Sequence, residues 1–263
     1  MKQSRVVLAL AAVACLSTAT SAQQRPDISG LWTRGGAANT LFHPPQSGPG
    51  PVMTIKLPGR QNVPRQAGDY NSPILQPWAK EVVRRQTERV LAQREALNTP
   101  QETCWPMGVP HILQLNFHAQ IIDDGKQIVF LYERHNQRRV ARLNASHPAN
   151  VKTSWFGDSV AHWEGDTLVV DTIGLDPRSW VDVFATPHTD KLHVIERYRR
   201  RDANNLDVTI EVDDPGAFTT KWSAQVSYQK DDEPWLETIC SENNIDAATG
   251  KLYDQPTAAK PDF

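Results

Sequence analysis

The sequence predicts a mostly β protein, an antiparallel up-and-down barrel or strongly curved meander with one α-helix and a long irregular N-terminal arm. Three observations carry that expectation. Beyond Cys104, short apolar runs follow one another with turn residues between them. In residues 217–228, Phe218, Thr220, Trp222, Ala224, Val226 and Tyr228 alternate with Thr219, Lys221, Ser223, Gln225 and Ser227, the period of a strand with one buried and one wet face. Only residues 77–98 hold helical spacing over several turns.

Residues 1–22 read as a secretory signal. Lys2 and Arg5 make a positive start, residues 6–16 are apolar, and Thr20-Ser21-Ala22 offers small residues for cleavage. The expected location is the periplasm or the outside of the cell. The apolar run is well short of the ~20 residues that span a bilayer, and no later run matches it, so no transmembrane segment is expected. Cys15 stands where a lipoprotein signal can end, but Ala12 takes the place of the usual Leu, which makes lipid anchoring the lesser alternative.

Residues 23–76 form the arm. They are rich in Pro, Gly, Gln and Asn, as in residues 43–51, and cannot bury enough apolar surface to fold alone. The arm is therefore either disordered or laid across the barrel by Leu31, Trp32, Leu41 and Phe42, with residues 27–32 as its ordered entry point. Residues 77–263 then hold the helix and the barrel. In the helix, 77–98, Trp78, Val82, Val83, Val90, Leu91 and Leu97 mark a face for the sheet, and the Arg and Glu residues between them mark a solvated one. Strands are expected at 117–122 and 127–134 around Asp124-Gly125, and at 159–163 and 167–172 around Gly165. Further strands are expected at 138–143, 191–199, 206–212, 217–228 and 235–241, joined by short connections. Once the signal is removed, Cys104 and Cys240 remain as an even pair. An oxidising compartment favours a disulfide between them, with two separate buried thiols as the alternative.

A net charge of −2 with 22% charged residues gives no field that argues for nucleic acid or an anionic membrane. Eight Trp residues suit a ligand pocket or a glycan platform as well as core filling. No Gly-rich phosphate loop is present, and none of the eight histidines has zinc-type spacing, so no cofactor or metal is expected. Three histidines brought together by the fold would still make a metal site.

The stretch from Trp155-Phe156-Gly157-Asp158-Ser159 through His162-Trp163-Glu164-Gly165-Asp166-Thr167 to Val170-Asp171-Thr172 resembles the signature of a large family of uncharacterised exported bacterial proteins. Asp27-Ile28-Ser29-Gly30-Leu31-Trp32, Cys104 with Pro106, Gly108 and Pro110, and Asp213-Asp214-Pro215 extend the likeness. It implies export and a β fold, and carries no activity with it. Gly30-Leu31-Trp32 also resembles the opening of lipocalin and avidin barrels, which implies a calycin-like arrangement.

Two glutamates fall on apolar strand faces: Glu133 beside Val129 and Leu131, and Glu196 between Val194 and Tyr198. Desolvated carboxylates can act as acid and base near neutrality, and they can equally be ion pairs with Arg134, Arg138, Arg139, Arg142, Arg197 or Arg199. His118, at a strand, and His188, in a Pro-flanked loop, are candidate partners, each with a surface or core reading beside it. Asp158-Ser159 lacks the glycines of a nucleophile elbow, and Asp158, Asp166 and Asp171 read first as structural. The expected function is a barrel holding a small amphipathic or sugar-like ligand or glycan, with Tyr132, Trp155, Trp163 and Trp222 as walls and Arg142 and Arg197 orienting an anionic group. The alternatives are a metal-independent lyase, dehydratase, isomerase or hydrolase using Glu133, Glu196, His118 and His188, or an envelope interaction protein that uses the arm.

Overall fold

The computed structural model describes residues 25–34, 40–93, 104–243 and 251. The signal segment, Cys15 and the end of the helix at 94–98 lie outside the described residues. Nine strands close into one barrel, in chain order: β1 (Gly30–Thr33), β2 (Ala119–Asp123), β3 (Gln127–Tyr132), β4 (Gln137–Leu143), β5 (Asp158–Glu164), β6 (Thr167–Ile173), β7 (His193–Arg200), β8 (Asn205–Asp213) and β9 (Trp222–Lys230). The barrel predicted from period-two patterning is present. Both expected Gly turns form, with Gly125 and Gly165 at positive φ.

The structure corrects four details. The barrel is not wholly antiparallel: β4 and β5 run parallel, with Ala141 opposite Ser159. Residues 144–157 carry the chain back along the wall, as a parallel pair requires, where the sequence predicts a short connection. Residues 217–221 do not extend β9: Ala217 and Phe218 donate to the Asp214 carbonyl, Phe218 makes an isolated bridge to Leu75 of the arm, and β9 starts at Trp222. Residues 235–239 are irregular and Cys240–Asn243 is one helical turn, so no strand forms there. The fourth concerns the arm, which supplies a barrel strand. β1 pairs Trp32 with Ala119 on one side and with Lys230 on the other, closing the wall.

The rest of the arm follows β9. His43 and Gln225 exchange backbone hydrogen bonds at 3.0 and 2.8 Å, Ser223 donates to the Pro49 carbonyl, and Thr219 donates to the Ile74 carbonyl. These bonds satisfy the part of β9 that short β1 leaves open, and they seat Phe42 against Trp222. Helix α1 (Pro77–Gln93) buries Ala79, Val83, Thr87 and Val90, a stripe that repeats every three to four residues. This face rests on the arm and on the loop after β6, where a Cβ on Gly68 would come within 2.7 Å of Phe184 and 3.0 Å of Val83. Trp78 is exposed and donates to the Gly216 carbonyl.

Inside the barrel Phe130, Tyr132, Tyr198, Val208, Ile210, Val226 and Tyr228 pack together with Trp32. Residues 104–118 fold against this core through Ile112 and Leu113 of a 3₁₀ turn (His111–Gln114), whose Leu113 carbonyl accepts from Arg34 and Tyr228. Cys104 and Cys240 are bonded, with Cα atoms 5.5 Å apart, tying this segment to the strap that follows β9.

Candidate functional site

His118 stands one residue before β2, Glu133 one residue after β3 and Asp231 one residue after β9. The register that sets Ala119 opposite Tyr132 brings the first two together, and β1, paired to both β2 and β9, brings the third. Glu133 Oε2 accepts the His118 backbone N–H at 3.0 Å and lies 2.5 Å from His118 Nδ1, while Nε2 is 3.0 Å from Asp231 Oδ2. Both ring nitrogens face carboxylate oxygens, which an imidazolium satisfies with two donors. Burial pulls the His118 pKa down, but hydrogen bonds and charge from Glu133 and Asp231 outweigh it and hold the pKa above the ordinary imidazole value. Glu133 is held further by its backbone N–H donating to the His118 carbonyl and by Thr238 Oγ1 donating to its own carbonyl. The side chain of Glu133 is 3% exposed and that of Asp231 21%, so solvent reaches the ring from the Asp231 side.

Two small cavities flank this corner. The outer one is bounded by Ile112, Phe117, His118, Tyr132 and Arg134; the inner one by Trp32, Phe130, Tyr132, Tyr198 and Leu206. Ala119, Tyr132 and Tyr228 belong to both. Each has a volume of about 10 Å³, room for about one water molecule.

Glu196 does not join Glu133. It points into the barrel from β7, where Arg139 grips it bidentately at 2.7 and 3.1 Å and Tyr198 donates to it at 2.8 Å. The Arg139 guanidinium also lies 4.5 Å from the Phe130 ring. The two charges pair in the core, with Arg139 Nε left as a buried donor without a partner among the described residues, so the ion-pair reading of Glu196 describes this structure. His188 lies in the loop between β6 and β7. Its Nδ1 is 2.8 Å from the Thr189 carbonyl, which can only accept, and its Nε2 is 2.8 Å from Ser179 Oγ, whose hydroxyl also lies within reach of the Asp176 carbonyl at 2.9 Å. Burial lowers the His188 pKa. Ser179 and His188 are both buried, so the pair holds the loop in shape and faces no opening.

The other expected binding residues are dispersed. Arg142 is bound bidentately to Asp158, which also meets His147 Nδ1; His147 Nε2 and His193 Nε2 both reach Asp171 Oδ1, at 3.2 and 2.8 Å. This outer network pins the 144–157 crossover to β5, β6 and β7, with Asp158 and Asp171 held in strands by Arg and His side chains. Trp155 packs on Trp105 beneath Arg178, half-buried Trp163 leans on the core from β5, and Trp222 is core between Phe42 and Phe218. Arg197 lies on the outer face of β7, opposite in pleat to Glu196 and Tyr198. None of these three Trp residues borders either cavity; Trp32, Phe130 and Tyr198 line the inner one, and Tyr132 and Tyr228 line both. No group of His, Cys, Asp and Glu among the described residues is arranged to hold a metal ion.

Asp231 was not singled out in the sequence. It begins an acidic stretch after β9, and nothing local marks which of those carboxylates turns back to the barrel. No family model and no curated protein matches the chain.

Proposed function

We propose that the protein is an exported acid/base enzyme of the lyase or dehydratase class that takes a small amphipathic or sugar-like molecule at the barrel rim. The Glu133–His118–Asp231 line carries this reading. A buried carboxylate fixes Nδ1 and the ring plane, and Nε2 is the nitrogen on the solvent side. The two carboxylates favour the charged ring, so His118 begins as the acid. A substrate hydroxyl that displaces Asp231 from Nε2 receives the proton and leaves as water. Asp231 takes the proton from the adjacent carbon, a double bond forms, and proton transfer from Asp231 back to Nε2 restores the site.

A second reading, a binding barrel without turnover, is favoured by the aromatic walls of the inner cavity. Glu133→Gln separates the two. In the enzyme it abolishes turnover and leaves substrate affinity within a few-fold; in a binder it changes affinity or stability alone. The assay follows hydroxy acids, sugars and hydroxylated aromatics by proton NMR, with His118→Asn as a second inactive variant. Undiminished turnover in either variant overturns the acid/base assignment.

Export to the periplasm or beyond belongs to the same proposal, as does membership of the exported bacterial family that residues 155–172 resemble. The disulfide supports export, because such bonds persist in oxidising compartments. No helix among the described residues is long and apolar enough to cross a membrane. An interaction role for the arm has less support, because residues 40–76 are stitched to β9 and to the 214–219 turn.

A further inference from the structure

We infer that the two cavities are halves of one pocket divided by Tyr132, and that the molecule handled at His118 carries an aromatic ring that takes the place of the Tyr132 ring. The inference rests on the acid/base reading of His118 and names its substrate class.

Tyr132 is the middle ring of a stack. It lies 6.4 Å from Phe130 at 8° and 5.9 Å from Phe156 at 9°, so its slot has two flat, nearly parallel aromatic walls. Its hydroxyl is buried and has no hydrogen-bond partner, which at a packed position is an uncompensated cost. The neighbouring tyrosines are tied: Tyr228 donates to the Leu113 carbonyl and Tyr198 to Glu196. Of the three, Tyr132 is the ring that no polar bond retains, and it forms a wall of both cavities.

Turning Tyr132 out of the slot joins a chamber containing Trp32, Phe130 and Tyr198 to one containing His118 and Arg134. A planar ring suits the vacated slot, because ring stacking replaces the contacts that Tyr132 gives up. A polar substituent on that ring then points toward His118, the polar wall of the outer chamber. A 1-arylethanol or 2-arylethanol meets both demands and carries the carbon-bound hydrogen that the elimination needs, and a small phenol meets the same two binding demands as a non-reacting probe; an aliphatic molecule of the same size meets only the second.

The test uses 4-fluorophenol against cyclohexanol on the full mature protein, with fluorine NMR for binding and the His118 ring resonances as the site report. Expected are saturable binding of one 4-fluorophenol, displacement of the His118 signals, and an affinity at least tenfold above that of cyclohexanol. Tyr132→Trp, which overfills the slot, and Ala119→Ile, which fills the shared wall from β2, each lower that affinity at least tenfold. The second variant keeps the test open if the first fails to fold. Absence of binding, equal affinity for cyclohexanol, or binding that leaves His118 unmoved overturns the inference. Glu133-dependent turnover of an aliphatic substrate would then leave the acid/base reading standing, whereas unchanged turnover in Glu133→Gln overturns that reading separately.

Discussion

The imidazole of His118 is held by two carboxylates whose exposure differs, and this sets how the pair responds to pH. Its folded pKa lies above the unfolded value of about 6.5, so its stabilising contribution is complete below that pH and fades as the pH rises through the folded value. Asp231 behaves in the opposite sense. The Glu233 backbone N–H and then His118 hold its pKa down, and its contribution fades as the pH falls below about 3.9 through the folded value. His118→Asn is therefore expected to cost about 1–2 kcal/mol between pH 4 and 6.5 and progressively less above, in urea unfolding followed across pH. The interior pair makes a different prediction. Arg139→Met alone leaves Glu196 buried and unpaired and should cost about 3–5 kcal/mol, whereas Arg139→Met combined with Glu196→Leu should recover most of it. At this scale the sequence was half legible. Parity along β7 grouped Glu196 with Val194 and Tyr198 on what is the buried face, but parity along β3 grouped Glu133 with Val129 and Leu131, whose face is the outer one; Glu133 falls just past the strand end, and its partnership with His118 follows from a cross-strand register that no local pattern displays.

At the scale of elements, the barrel closes only because the arm and the main run of strands share a seam. β1 is four residues long, and the chain after it pairs with the remainder of β9. Deleting residues 23–76 removes Trp32 from the core and strips β9 of its partner, so the shortened chain is expected to lack a cooperative thermal transition and the near-ultraviolet dichroism of packed aromatics. A shortened chain that melts cooperatively would contradict this and restore a detachable arm. Hairpins were legible because Asp-Gly and Glu-Gly-Asp turns declare themselves locally. The parallel crossover was hidden, since what fixes it is tertiary: Gly157, at φ +64°, sits where a Cβ would come within 2.3 Å of the Ile173 carbonyl, and His147 bridges Asp158 and Asp171.

Over the whole molecule, the disulfide joins the two segments that cover the His118 corner. Cys104 leads into the 3₁₀ turn that carries Leu113, and the strap from Asp231 to Cys240 supplies Asp231 itself and Thr238. A bond spanning 136 residues has a chain-entropy effect of about 5 kcal/mol, an upper figure. Cys104→Ser with Cys240→Ser is expected to lower stability by about 2–5 kcal/mol and to loosen the strap first, raising hydrogen exchange at Asp231 and Glu233 ahead of the strands. Setting Cys15 aside with the expected signal left one pair of cysteines and made this bond readable; the strap it holds was not, because residues 235–241 read as another strand.

The central claim is that Glu133 and Asp231 hold His118 as an acid, and nitrogen NMR titration of the His118 ring in the native protein and in Glu133→Gln tests it most directly. The expected result is a pKa above the ordinary imidazole value in the native protein that falls when Glu133 is neutralised, with Nδ1 remaining protonated after the ring loses its charge. An ordinary pKa in both proteins, or a neutral ring protonated on Nε2, would contradict it.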